Sequence, residues 1–118
     1  MCIRDSYCEA PFPTTAEEQR FGIHAGEIET SLMLALAPDL VQMTQAVRHY
    51  PSFPTDVAPL FMFGQASAAW LSRDWSPTGV FGDATAATPE KGAALLEAAI
   101  TKLGRLIATI SHFEVAHG

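Results

Sequence analysis

Cysteine is nearly absent from this chain. Its two copies, Cys2 and Cys8, both fall in the first eight positions. They cannot staple a core from there, and five intervening residues is not a zinc-ligand spacing, so they read as free thiols. Basic residues are scarce too: seven Lys and Arg stand against thirteen Asp and Glu, net charge −6, with no basic cluster. Such a chain repels a phosphate backbone, which excludes nucleic-acid binding as an expected function. Long hydrophobic runs are missing as well. The longest, Leu32 to Ala37 and Val57 to Phe63 (broken by Pro59), fall far short of the roughly 20 residues that cross a bilayer, so no membrane span is expected. No apolar stretch of signal-peptide type follows Arg4, and the expected compartment is the cytoplasm. No phosphate-cradling glycine loop, Ser/His/Asp arrangement or CxxC pair is present.

What remains is a globular composition: 118 residues, 48% hydrophobic and 17% charged, enough for one domain or part of one. The apolar surplus over charge suits a piece of a larger protein or an oligomer subunit. Residues 1–15, with Pro11 and Pro13, read as an irregular tail, followed by one helical turn at Ala16 to Arg20. The opening Met1 to Ser6 reads as translated adapter sequence, so residues 1–6 are expected to be non-native.

From Glu27, apolar residues at steps near four (Ile28, Leu32, Leu36) predict a helix that Pro38 stops. A loop, Gly22 to Gly26, feeds its start, and Glu27 and Glu29 suit the positive end of the helix dipole. Pro51, Pro54 and Pro59 predict a loop that packs by Tyr50, Phe53 and Val57, with a strand near Ala68 to Leu71 after it. Turns follow at Ser76 to Gly79 and at Gly82-Asp83, around a short extended Val80-Phe81. Thr88-Pro89-Glu90 then supplies an N-cap, a proline at the first helical position and an acid in the first turn. Leu96, Ile100, Leu103, Ile107, Ile110 and Phe113 make an apolar stripe along a long C-terminal amphipathic helix that must pack on something. Gly92 and Gly104 weaken that helix by about 1 kcal/mol each against alanine.

Among the four histidines, His112 and His117 lie at the solvated C-terminal end and His49 precedes the proline loop. His24 stands apart, between glycines, just before a helix start, with Glu27 and Glu29 close behind. A histidine near neutral pKa shuttles a proton, and a nearby carboxylate orients it. The same residues also suit plain helix capping beside a surface histidine, and one loop's His and two Glu do not make a metal site. Trp70 and Trp75 read as core or interface residues, Met33, Met43 and Met62 as core filler, and Asp74 and Asp83 as turn formers.

Two longer blocks carry more. His24-Ala25-Gly26-Glu27-Ile28-Glu29-Thr30-Ser31-Leu32-Met33-Leu34 with Pro38-Asp39-Leu40-Val41, and Thr78-Gly79-Val80-Phe81-Gly82-Asp83 through Ala87-Thr88-Pro89-Glu90-Lys91-Gly92, closely resemble two ordered segments of the creatininase (creatinine amidohydrolase) family. The resemblance spans about residues 16–115. It implies an α/β fold, the C-terminal portion of a three-layer αβα sandwich on a mixed sheet, in a family usually assembled as a homohexamer. It implies two divalent metals, zinc or manganese, activating a water that hydrolyses a cyclic amide or a related C–N bond in a small-molecule substrate.

The family's metal ligands belong to an upstream half with no counterpart here. The chain is therefore expected to be a fragment, to hold no complete metal site and to be inactive alone. His24 matches the family's histidine that passes a proton to the leaving nitrogen, and Glu29 matches a loop-supporting glutamate. Gly26, Glu27 and Arg20 fall among substrate-binding or supporting positions. Creatinine-specific members carry Trp-Asp where Arg20 and Phe21 stand, so a stacked creatinine ring is not expected. Arg20 suits instead a carboxylate or phosphate on a larger substrate, which points to formamide or peptide-like bonds. The rival is a non-catalytic helical interaction module that packs through Thr88 to Phe113.

Overall fold

The computed structural model describes residues 10–52 and 71–113. The first helix, α1, runs over Ala16–Phe21, one residue past the expected turn. Thr15 caps it by accepting the Glu18 N–H at 3.1 Å, Glu17 and Glu18 fill the first turn, and Arg20 sits in the last. Helix α2, Glu27–Leu36, ends where expected: the N–H of Ala37 returns to Met33 at 2.8 Å, and Pro38 has no N–H to continue the ladder. Two 3₁₀ turns, Pro38–Leu40 and Met43–Gln45, lead to strand β1, Arg48–His49.

Strand β1 pairs antiparallel with β2, Gly82–Asp83, in the register Arg48 to Asp83 and His49 to Gly82. One residue earlier, Phe81 bridges to His24: the N–H of Ile23 donates to the Phe81 carbonyl at 2.9 Å, and the N–H of Phe81 to the His24 carbonyl at 2.9 Å. Residues 81–83 thus zip the loop before α2 to the chain after it. The sequence predicts no strand at Arg48-His49, because two residues are too short to display a period of two. The strand expected near Ala68 to Leu71 lies outside the described residues except for Leu71, which is in no strand; Phe53, Val57, Met62 and Trp70 also lie outside them. A short helix α3, Ser72–Trp75, follows instead. The Ser76 hydroxyl then closes a turn on the Val80 carbonyl at 2.7 Å, through Gly79 at φ +81°. After a 3₁₀ turn at Ala84–Ala86, α4 runs over Pro89–Ser111, capped by Thr88, which accepts the Lys91 N–H at 3.3 Å.

The core lies where α2 crosses α4. The buried apolar residues among the described ones are Ile23, Pro51, Phe81, Ala84, Ala87 and Leu95. The helices approach through small residues: a Cβ on Gly92 would collide with the Ser31 carbonyl and crowd the Ala35 Cβ. Ser31, fully buried, accepts the Thr88 N–H at 3.2 Å and so joins α2 to the cap of α4. Two features of α4 go beyond the sequence reading. Gly92 is the contact point of the two helices, not merely a weak helix former. The apolar stripe of α4 is covered only at its start, since Ile100, Leu103, Leu106, Ile107, Ile110 and Phe113 are all 54–74% exposed. The reason is length. At about 1.5 Å per residue, α2 is less than half as long as α4 and cannot reach those positions. Met33, expected as core filler, is also exposed.

One buried carboxylate gathers the remaining segments. Glu18, 3% exposed, accepts the N–H of Glu27 through Oε1 at 2.8 Å, and the N–H of Asp83 and the hydroxyl of Tyr50 through Oε2, both at 2.9 Å. Beside it Arg48 pairs with Glu17 at 2.7 Å and reaches Asp83 at 3.9 Å.

Two measurements check this packing. Gly92→Ala should destabilise the chain by about 1–3 kcal/mol in urea denaturation, as overpacking does. Gly104→Ala, whose Cβ would meet nothing within 4 Å, should stabilise it by about 0.5–1 kcal/mol. Separately, burial, reinforced by the Glu18 carboxylate, pushes the Tyr50 phenol from 10.0 up to about 12. The folded chain therefore holds that proton more tightly than the unfolded one. The stability it confers is complete below pH 10.0 and is lost as pH rises through about 12. Tyr50→Phe should flatten the alkaline fall in stability over that window, and an unchanged pH slope would contradict the assignment.

Candidate functional site

The loop Gly22–Gly26 carries His24 and is held from three directions. Its first hold is the bridge to Phe81. Its second comes from the start of α2. Ala25 has φ +51°, a left-handed conformation that a residue with a Cβ adopts at a cost. Both its backbone groups are tied: the Glu29 carboxylate accepts its N–H, and the Thr30 hydroxyl donates to its carbonyl at 3.3 Å. Glu29, Thr30 and Ser31 therefore divide three tasks, two fixing the loop and one anchoring α4. The third hold is Glu18. Gly26 is the N-cap of α2 and has no side chain to accept an N–H. The carboxylate of Glu18 supplies that acceptor from eight residues upstream, in the space a Cβ on Gly26 would fill.

The outcome is an imidazole presented to solvent from a fixed base. The His24 side chain is 64% exposed, with Nδ1 3.5 Å from Glu29 Oε2. Glu29 thus faces one ring nitrogen and leaves Nε2 for a reactant. Of the other positions singled out in the sequence, Gly26 is buried and its backbone closes on Gly82; a Cβ there would stand 3.1 Å from the Gly82 Cα. Glu27 is buried and ion-paired at 2.5 Å with Lys91, whose ammonium also donates to the Ala86 carbonyl at 2.8 Å. Its carboxylate is engaged with α4, whereas Glu29 is engaged with His24. Arg20 stacks its guanidinium 4.9 Å from the centre of the Phe21 ring. His49 meets the Trp75 carbonyl at 2.9 Å, and His112 follows the end of α4.

Sequence reasoning missed Glu18 altogether, read Tyr50 only as a packing residue and gave Lys91 no role of its own. One signal was available for Glu18: Thr15-Ala16-Glu17-Glu18 has the spacing of a capping box. A surface capping box would have turned Glu18 back on Thr15, however, and here it turns inward.

Metal-ligand chemistry needs three or more His, Cys, Asp or Glu side chains converging on one point. Among the described residues no such group exists. Both oxygens of Glu18 and Oε1 of Glu27 already accept from donors of this chain. The described residues do not fit a metal centre by themselves. No helix among them is long and apolar enough to cross a membrane.

Comparison with known proteins identifies the family. The family model for creatinine amidohydrolase matches residues 4–107. A creatinine amidohydrolase of Pseudomonas putida is 39% identical over 79 residues, covering 65% of this chain and 26% of its own length. A solved creatinine amidohydrolase superposes with a TM-score of 0.58 at 31% identity, over 77% of this chain and 32% of its own. A manganese creatininase gives 0.53 at 33% identity, over 71% and 30%. A Glu-to-Gln variant of zinc–zinc type gives 0.54 at 31%, over 89% and 35%. The chain spans about a quarter of the curated relative and about a third of each solved one. Its helices and small sheet are those of an α/β fold shared with these structures. With the family model matched along most of its length, this chain belongs to the creatininase family of amidohydrolases.

Proposed function

We propose that His24 is the proton-transfer group of an amidohydrolase that cleaves a C–N bond, and that the chain acts as the C-terminal portion of a larger assembled domain. The observation that carries this reading is the exposed imidazole on a loop pinned at Ile23, His24 and Ala25, with Glu29 at its Nδ1. Hydrolysis of an amide needs a proton delivered to nitrogen as the C–N bond breaks, because an amide anion is too basic to leave. Nε2 of His24 gives that proton, and the Glu29 carboxylate stabilises the imidazolium before it does so. The donation leaves a neutral imidazole, and the proton that the attacking water releases returns it to the imidazolium.

The reading extends to zinc or manganese held by ligands outside the described residues. It also includes a three-layer αβα sandwich completed by the remainder of the domain, a homo-oligomeric (hexameric) assembly and cytoplasmic residence. On this reading the isolated chain is inactive. Arg20 and Phe21 stand where a creatinine ring would need other partners, so linear formamides or short peptides bearing a carboxylate are the proposed substrates. The exposed apolar half of α4 supports a second reading, a non-catalytic module whose helix docks on a partner.

The two readings separate on one substitution. In the domain completed with its upstream portion, His24→Asn should lower kcat by about 10²–10⁴-fold with KM little changed and the fold intact. Unchanged turnover would reject the catalytic role and leave the docking module. Metal-dependent hydrolysis by the 118-residue chain alone would reject its inactivity.

A further inference from the structure

We propose that Glu18 is the positioning residue for His24: its buried carboxylate grips the N–H of Glu27 and the N–H of Asp83, and this grip sets the alignment of the His24–Phe81 bridge. The inference rests on the reading of His24 as the proton-transfer group, but its geometry is independent of turnover. The two gripped amides flank the bridge. Glu27 lies three residues after His24 in one segment, and Asp83 two residues after Phe81 in the other. Between them Gly26 and Gly82 stand so close that a Cβ on Gly26 would reach 3.1 Å from the Gly82 Cα.

The same carboxylate fills the space beside Gly22, Gly26 and Gly82, where a side chain on any of the three would intrude on it. Neither amide has a rival acceptor within its own element. Glu27 is the first residue of α2 and lacks an intrahelical partner, and Asp83 uses its own Oδ1 for the N–H of Thr85 at 3.0 Å. A buried N–H left without its acceptor would seek water, which requires the two segments to part. Parting them unzips Ile23 and His24 from Phe81, and with them the base that holds the imidazole against Glu29.

Glutamine is the informative replacement. Its size is that of glutamate, but one oxygen becomes an NH₂, a donor. Turned one way, that donor confronts the N–H of Glu27; turned the other, it confronts the N–H of Asp83. One of the two grips is lost either way. Tyr50→Phe is the matched control, since it removes the phenol donor and leaves both backbone grips.

The experiment uses the full chain, labelled with ¹⁵N. In the unsubstituted chain Nδ1 of His24 should carry the proton toward Glu29, giving the imidazole nitrogen shifts of a single tautomer. Glu18→Gln should mix the tautomers and speed amide exchange at Ile23 and Phe81 by about tenfold or more, while exchange of Thr88, at the junction of α2 and α4, stays as it was. Tyr50→Phe should leave His24 unmoved. His24 shifts and bridge exchange unaltered in Glu18→Gln would overturn the proposal. So would a Tyr50→Phe effect as large as that of glutamine, because the cause would then be lost packing. Should Glu18→Gln fail to fold, native exchange of the unsubstituted chain decides: the amides of Ile23, Glu27, Phe81 and Asp83 should open as one unit. Opening of Ile23 and Phe81 with Glu27 and Asp83 still protected would reject the grip. Failure of His24→Asn to slow hydrolysis would remove the reaction and leave these spectroscopic outcomes standing, so the two claims fail separately.

Discussion

A carboxylate removed from water is tolerated only where donors replace the water, and Glu18 finds three of them on three different segments: the start of α2, the residue after β1 and the end of β2. Those segments are distant in sequence and short, and among the described residues only six apolar side chains, Pro51 included, are buried to hold them together. Polar satisfaction therefore carries part of the task that a larger core would perform. The arrangement explains its neighbours. Gly22, Gly26 and Gly82 are glycines because the carboxylate occupies the space their side chains would need. The N-cap of α2 needs no side chain because Glu18 supplies the oxygen.

The same economy shapes the site. The Glu29-Thr30-Ser31 run is a set of three fasteners on consecutive faces of one helical turn. Glu29 and Thr30 reach back to the two backbone groups of Ala25 and hold its left-handed conformation, while Ser31 reaches across to the cap of α4. The buried Glu27–Lys91 pair adds a charged tie between the same two helices. His24 is displayed from that base with Nδ1 toward Glu29 and its side chain 64% exposed. The apolar half of α4 shows the converse: beyond the reach of α2 there is nothing in the described chain to cover it.

Much of this was legible in the residues. Thr88-Pro89-Glu90 announced the start of α4, Pro38 the end of α2, and the two family-like blocks the membership that the comparisons establish. The α/β class followed from that membership. The pairing of Arg48-His49 with Gly82-Asp83 was not legible, since two-residue strands have no alternation to read. Glu18 was hidden for a different reason. An acid in the first turn of a helix usually belongs to solvent and the helix dipole, and only the tertiary approach of Gly26 and Gly82 turns it inward. Gly92 was hidden likewise, because a glycine in a helix looks like a weakness until the facing carbonyl is known.

The central claim is that one carboxylate joins α2 to β2 beneath His24. Scalar coupling transmitted through hydrogen bonds tests it most directly, from the amide nitrogens of Glu27 and Asp83 to the side-chain carboxyl carbon of Glu18 in the folded chain. The account predicts a measurable coupling from both amides to that one carbon. A coupling from neither, in a chain whose α2 and α4 are folded, would contradict it.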